Sequence, residues 1–101
     1  MPILQVFAYP ADDAIHRLGQ MCAAVAHALE LETADVVATR VSVEQTVIDG
    51  VDHPSWPVVV IHGASRPPAQ MDAAIAAVTN LARAWGGHDN DGAWVTWLKA
   101  R

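Results

Sequence analysis

Two arginines of this chain lie in or beside apolar runs that are typical of β-strands. Arg66 follows the apolar run of residues 57–62 and precedes Pro67, which suits the first turn of a helix. A strand end that leads into a helix is suited to an anion, because backbone N–H groups and a guanidinium both attract negative charge. Arg40 lies inside a second apolar run, residues 36–43, where it is either another anion ligand or half of an ion pair between subunits.

Two titratable side chains near the predicted strand ends are further candidates. His62 closes the run of residues 57–62 and is either an acid or base, or a hydrogen-bonded core histidine. Tyr9 follows the first strand and is positioned to line a pocket. The remaining four histidines form no set with metal-ligand spacing, so we predict no metal site and no cofactor. Ser65 has no visible His and Asp partners and is interpreted as a helix cap.

The composition excludes several classes of function. The chain has 101 residues, a net charge of −5 and only six lysines and arginines, which is not the basic surface of a nucleic-acid-binding protein. A single cysteine excludes an intramolecular disulfide. No apolar run is long enough to span a membrane, and no basic-then-apolar leader is visible. We therefore expect a cytoplasmic protein without nucleic-acid or membrane partners.

Hydrophobic periodicity predicts four strands and two helices. The short β-favouring runs are residues 2–7, 36–43, 57–62 and 93–98. Apolar residues spaced three and four apart predict two amphipathic helices. Their stripes are Ile15, Leu18, Cys22, Val25 and Leu29, then Met71, Ile75, Val78, Ala82 and Trp85. We expect Asp12 or Asp13 to cap the first helix and Gly86-Gly87 to end the second.

The two halves of the chain repeat each other at an offset of about 55 to 57 residues. The predicted fold is α/β (α+β): one domain, residues 1–101, with β-α-β repeats at about 2–44 and 57–98. A loop or short hairpin at 45–56 joins them, and Asp49-Gly50 is its turn signal. We expect one four-stranded sheet with both helices on one face, and an uncovered apolar face that favours an oligomer. A ferredoxin-like sensing module, with an interleaved antiparallel sheet, is the alternative topology.

Duplicated β-α-β units with a proline directly after Met1 resemble the tautomerase superfamily. That superfamily includes oxalocrotonate tautomerase, macrophage migration inhibitory factor and the haloacrylic acid dehalogenases. The resemblance covers nearly the whole chain. The run from Asp35 through Asp49-Gly50 to Trp56-Pro57, followed by an apolar strand and an arginine, is most similar to an uncharacterised bacterial branch.

The resemblance implies a homotrimer and a catalytic Pro2 whose secondary amine acts as a base once Met1 is removed. It also implies that Arg66 holds a substrate carboxylate and that Trp94 and Thr96 wall the pocket. The implied activity is a keto–enol isomerase acting on a small carboxylated compound. Dehalogenation, hydration and decarboxylation are other reactions of the family.

Some positions depart from the family pattern and favour a different function. The first half carries Tyr9-Pro10-Ala11-Asp12 at the point that corresponds to Arg66, and Pro67-Pro68 follows Arg66. The alternation of Arg40 along its strand also differs by one residue from that of the arginine in short tautomerases. The alternative is a non-catalytic trimeric binding or scaffold protein of the same fold.

Overall fold

Two β-α-β units follow one another, and the computed structural model describes residues 1–52, 56–87 and 89–99. In chain order the main elements are β1 (Ile3–Ala8), α1 (Ala14–Leu29), β2 (Val37–Ser42), β3 (Val47–Ile48), β4 (Val51–Asp52), β5 (Val58–Gly63), α2 (Pro68–Arg83) and β6 (Trp94–Lys99). One 3₁₀ turn, Thr33–Asp35, precedes β2, and another, Trp85–Gly87, follows α2. The turn that His53-Pro54 would favour by sequence lies outside the described residues, and so does His88.

The four long strands form one mixed sheet in the order β2-β1-β5-β6. Each unit contributes a parallel pair, β1 with β2 and β5 with β6. The two units meet where β1 and β5 pair antiparallel, with Ile3 opposite His62 and Phe7 opposite Val58. The predicted α+β fold is confirmed, and the parallel pair in each unit excludes the ferredoxin-like alternative.

Both helices cover the same face of the sheet, which we call the helix face. Leu4, Val6, Val59 and Ile61 alternate along β1 and β5 and are fully buried there. From the helices the buried side chains are Met21, Val25, Ala26, Leu29, Ala74, Val78 and Ala82. This core is made largely of small and β-branched side chains.

The other side of the sheet, the open face, is apolar and uncovered within one chain. Strand alternation and pairing register place twelve residues there: Ile3, Gln5, Phe7, Val37, Thr39, Val41, Val58, Val60, His62, Trp94, Thr96 and Leu98. Trp94 is 67% exposed and Leu98 is 53% exposed. In the central strand β5, Val58, Val60 and His62 are only half-buried in a single chain, because no element of the described residues covers this face.

Three of the strands begin and end one residue later than predicted. Pro2 and Pro57 start the apolar runs but have no N–H to donate to a ladder. Each instead accepts one bond through its carbonyl oxygen, from the backbone N–H of Val37 at 3.1 Å and from that of Trp94 at 3.0 Å. The matching bonds show that the two halves repeat in detail.

The helix ends differ more from the predictions. Asp13 occupies the N-cap position of α1 but makes no capping bond. Its Oδ2 pairs with Arg17 one turn along, and its Oδ1 is buried without a partner among the described residues. Helix α2 ends at Arg83, so Trp85 lies in the following 3₁₀ turn. Gly86 and Gly87, with φ of 78° and 83°, end that turn and not the helix.

One predicted member of the first helical stripe faces solvent. Ile15 is 88% exposed, and Met21 takes a core position that the predicted stripe did not include. The short hairpin predicted around Asp49-Gly50 is present. Both of its turn residues have positive φ, 53° and 74°, as a two-residue hairpin loop requires.

Gly19 is a weak point in the middle of α1. It is exposed, and a Cβ built on it meets nothing within 4 Å. Glycine in a helix interior costs about 0.5–1 kcal/mol relative to alanine. We expect Gly19→Ala to raise the free energy of unfolding by about that amount, measured by urea denaturation. Gly92→Ala is the matched control, since its Cβ would lie 3.0 Å from the Trp56 ring. An equal gain from both variants would contradict this account.

Candidate active site

Pro2 lies at the end of the sheet where β1 and β2 begin and β5 and β6 end. We call this the Pro2 end, and the opposite end, where Pro57 precedes β5, the Pro57 end. Extending the β1–β5 register by one residue sets Pro2 opposite Gly63. The Pro2 ring is fully buried, whereas Met1 is 75% exposed. Removing Met1 would therefore take little from the core and would leave the Pro2 nitrogen at the edge of a dry environment.

Arg66 lies at the Pro2 end because it follows Gly63 by three residues, in the loop between β5 and α2. Its side chain is half-buried, and its Nε is buried without a hydrogen-bond acceptor. Among the described residues Arg66 also makes no ion pair. The guanidinium thus has an unpaired donor within the chain, and its predicted role in anion binding stays a prediction.

Two residues at the Pro2 end were not among the predicted site residues. Trp97 pairs with Ile61 and therefore lies on the helix face, where its ring covers Gly63. Its indole Nε1 is buried and has no acceptor in the described part of the chain. Lys99 pairs with Gly63 itself, because β6 extends one residue further than predicted. Strand alternation along β6 could have indicated the position of Trp97, because it places Trp97 on the opposite face from Trp94.

His62 is close to Pro2 in the sheet but on the other face. It pairs with Ile3 on the open face, and its Nε2 lies 2.6 Å from Oε1 of Gln5. In the tautomer that carries its proton on Nε2, the ring donates to this amide oxygen. His62 is thus hydrogen-bonded at the surface that the sequence predicts to be covered in an oligomer.

The remaining predicted site residues lie away from Pro2 within one chain. Trp94 stands opposite Val58 at the Pro57 end, about 17 Å along the sheet from Pro2. Arg40 lies on the helix face opposite Val6 and donates to the carbonyl oxygen of Ala8 at 3.2 Å. A single pocket that holds Pro2 with either of them requires a second chain.

Thr96 is also separated from Pro2, in the middle of the sheet. It is exposed and lies opposite Val60 on the open face. Pro2 points toward the helix face, so the two side chains do not meet in one chain. Among the predicted residues, Pro2, His62 and Arg66 have their backbones at the same end of the sheet, and His62 is on the open face.

Tyr9 belongs to a hydrogen-bonded cluster at the Pro57 end. Its hydroxyl lies 3.0 Å from the carbonyl oxygen of Trp85 and 2.8 Å from Oδ1 of Asn90. The Trp85 indole donates to the Tyr9 carbonyl oxygen at 2.8 Å. Burial raises the pKa of Tyr9 above its ordinary value, although the bond to Asn90 opposes this shift. Tyr9 also borders a cavity of about 480 Å³ with Pro10, Ala11, Asp12, Asp13 and Gly86.

The described residues contain no group of three His, Cys, Asp or Glu side chains placed to hold a metal ion. None of the helices in the same part of the chain has the length and hydropathy needed to cross a bilayer.

The sequence matches no protein-family model and no curated protein. Solved structures do match. One chain of a fused 4-OT, from its asymmetric trimer, superposes on this chain with a TM-score of 0.83 at 20% identity. The match covers 97% of this chain and 85% of the fused 4-OT chain. Pt0534, inactivated by 2-oxo-3-pentynoate, gives 0.83 at 17% identity, with 97% and 85% covered. The chain has the tautomerase fold. Macrophage migration inhibitory factor from Toxoplasma gondii also matches, at TM-score 0.71 and 20% identity over 97% of this chain and 89% of that one.

These matches confirm the fold that the resemblance implied. At such low identities the likeness concerns the path of the backbone and not individual side chains. The roles of individual residues in this tautomerase-fold chain therefore depend on its own geometry.

The role of Tyr9 can be tested through its hydroxyl. Tyr9→Phe leaves Oδ1 of Asn90 without this donor, so we expect a loss of about 1 kcal/mol in the free energy of unfolding at neutral pH. A raised folded-state pKa means that stability is held below about pH 10 and lost as the pH rises through the folded value. The chain has one tyrosine. Denaturation at neutral and alkaline pH should show a smaller alkaline loss in Tyr9→Phe, and equal losses would refute the assignment.

Proposed function

We propose that this chain is a cofactor-independent isomerase that interconverts the keto and enol forms of a small carboxylated compound. The observation that carries the proposal is the placement of Pro2 beside the β5 end from which the chain continues to Arg66. A base and a cation for the substrate anion thus share one end of the sheet. Inactivation of the fold neighbour Pt0534 by a 2-oxo acid supports this class of ligand.

In the proposed reaction Pro2 is the base, after removal of Met1 has freed its secondary amine. An α-amino group has an ordinary pKa near 8, and both burial and a nearby guanidinium would lower it toward neutrality. The amine takes a proton from the carbon beside the carbonyl, and the C–H electron pair forms the C=C bond of the enolate. The proton then passes from the ring nitrogen to the enolate oxygen, which gives the enol.

Arg66 would hold the substrate carboxylate. Because its Nε is buried without an acceptor in the described residues, a carboxylate oxygen would satisfy a donor that the fold leaves unpaired. A guanidinium binds a carboxylate through two parallel bonds, which also fixes the orientation of the substrate. Orientation of the C–H bond toward a fixed base is itself a large part of catalysis.

We also propose that the protein is a homotrimer in which the open face of each chain is buried. An uncovered apolar sheet face is normally an interaction surface, and the fused 4-OT matches are trimers. Trp94, Thr96, Arg40 and Tyr9 are distant from Pro2 within one chain. They would be pocket residues only if a neighbouring chain contributed them.

The first test replaces the secondary amine of Pro2 with a primary one. After removal of Met1, Pro2→Ala keeps an α-amino group, but no ring holds its nitrogen in place. We therefore expect keto–enol exchange of phenylpyruvate to fall by about 10²-fold, the low end of the range for general-base catalysis. The rate is followed by enol absorbance, and mass spectrometry of protein made without a tag establishes whether Met1 is removed. Ile15→Ala, a substitution on the exposed side of α1, is the control. Unchanged activity in Pro2→Ala would end the proposal, and retention of Met1 would favour the non-catalytic trimer, since an acylated proline nitrogen is not basic.

The second test concerns the trimer. Val41 is 38% exposed on the open face, and a carboxylate placed there would be buried unpaired on assembly. We expect sedimentation to give a mass of about three times the 10.8 kDa chain mass for the native protein. For Val41→Glu we expect the mass of a single chain. Ile15→Glu is the matched control, because Ile15 is an exposed apolar residue on the helical side. A native monomer, or a Val41→Glu trimer, would count against burial of this face.

A further inference from the structure

The indole N–H of Trp97 is a buried donor without an acceptor. Its nitrogen is inaccessible to solvent and has no hydrogen-bond partner among the described residues. Trp85 shows the usual arrangement, since its indole donates to the Tyr9 carbonyl oxygen. Buried indole N–H groups normally find a partner, and an unpaired one calls for an explanation.

The position of the Trp97 ring depends on the absence of a side chain at residue 63. A Cβ on Gly63 would lie 2.9 Å from Cζ2 of Trp97, closer than real Cβ contacts allow. Glycine in a strand interior is unfavourable, and it often marks a place where another group comes close. The ring of Trp97 occupies that place, which holds its N–H at the Pro2 end of the sheet.

A second unpaired donor lies at the same end. Nε of Arg66, three residues beyond Gly63, is also buried without an acceptor. Lys99 pairs with Gly63 from the other side, so the Pro2 end gathers two of the six Lys and Arg side chains of a chain whose net charge is −5. Two unpaired N–H donors at one end of the sheet match the acceptor oxygens of an anion and not a cation.

We infer that Trp97 is a ligand-binding residue whose indole N–H donates to a carboxylate oxygen of the ligand, at the same end of the sheet as Arg66. The inference rests on the proposed function for the class of ligand, a small carboxylate, and not for any step of the reaction. Because the indole nitrogen is inaccessible to solvent in the free chain, binding requires a local shift that opens it to the carboxylate. An indole donor also adds specificity, because a neutral isostere would leave a charge-assisted bond unmade.

Benzoate tests this directly because it carries a carboxylate and cannot enolise. The four tryptophans give separate indole ¹H–¹⁵N signals. The signal of Trp97 is assigned through the contact of its ring with Gly63. We expect a saturable shift of this signal on titration with benzoate and none with benzyl alcohol. Trp97→Phe should bind benzoate about tenfold more weakly, as expected for loss of one hydrogen bond to a charged group. Trp56→Phe, a change in a half-exposed tryptophan packed on Gly92, should keep the native affinity.

The outcomes separate this inference from the proposed function. Absence of benzoate binding, a Trp97 signal that stays fixed while benzoate binds, or unchanged affinity in Trp97→Phe would each overturn the inference. The titration of native protein decides the matter even when Trp97→Phe does not fold. A shift of the Trp97 signal without phenylpyruvate turnover would support the carboxylate site and contradict the isomerase proposal. Turnover without the shift would support the isomerase proposal and contradict the role of Trp97.

Discussion

The antiparallel pairing of β1 with β5 is the constraint on which the architecture depends. It joins two β-α-β units that otherwise contact each other mainly through their helices, and it places Gln5 opposite Val60 at the centre of the sheet. Since each unit contains a parallel pair, this one junction fixes the strand order of the whole sheet. It also sets the start of β1 beside the end of β5. The first residues of the chain and the loop before α2 thus meet at one end of the sheet.

The two ends of the sheet have the same arrangement of strands, but their side chains make different hydrogen bonds. At the Pro57 end, Tyr9, Trp85 and Asn90 satisfy one another, and the guanidinium of Arg40 donates to a backbone carbonyl. At the Pro2 end, buried nitrogens of Arg66 and Trp97 have no acceptor among the described residues. A buried polar atom without a partner calls for an explanation wherever it lies. At the Pro57 end the described residues leave one such atom, the acceptor Oδ1 of Asp13, whereas at the Pro2 end the unpaired atoms are both donors. The two ends therefore differ in the kind of group that would satisfy them.

Much of the fold could be predicted from periodicity and repetition, because strand alternation and helical stripes are local properties of the chain. The details that failed depend on partners distant in sequence or on one competing local contact. Asp13 was predicted as a cap and pairs with Arg17, and Ile15 fits the stripe and faces solvent. Trp97 is absent from the predicted site, since no pattern in a sequence shows whether an indole N–H finds an acceptor. The same limit applies to Tyr9, whose partners lie 76 and 81 residues away.

The duplication gives each chain two prolines in equivalent positions but only one that can be freed. Pro57 matches Pro2 in its fully buried ring and in the bond that its carbonyl accepts, yet its nitrogen is acylated by Trp56 for the lifetime of the polypeptide. Of the two equivalent nitrogens, only that of Pro2 would become an amine on removal of Met1. A reagent specific for secondary amines would then modify each chain at most once, although the chain contains two β-α-β repeats.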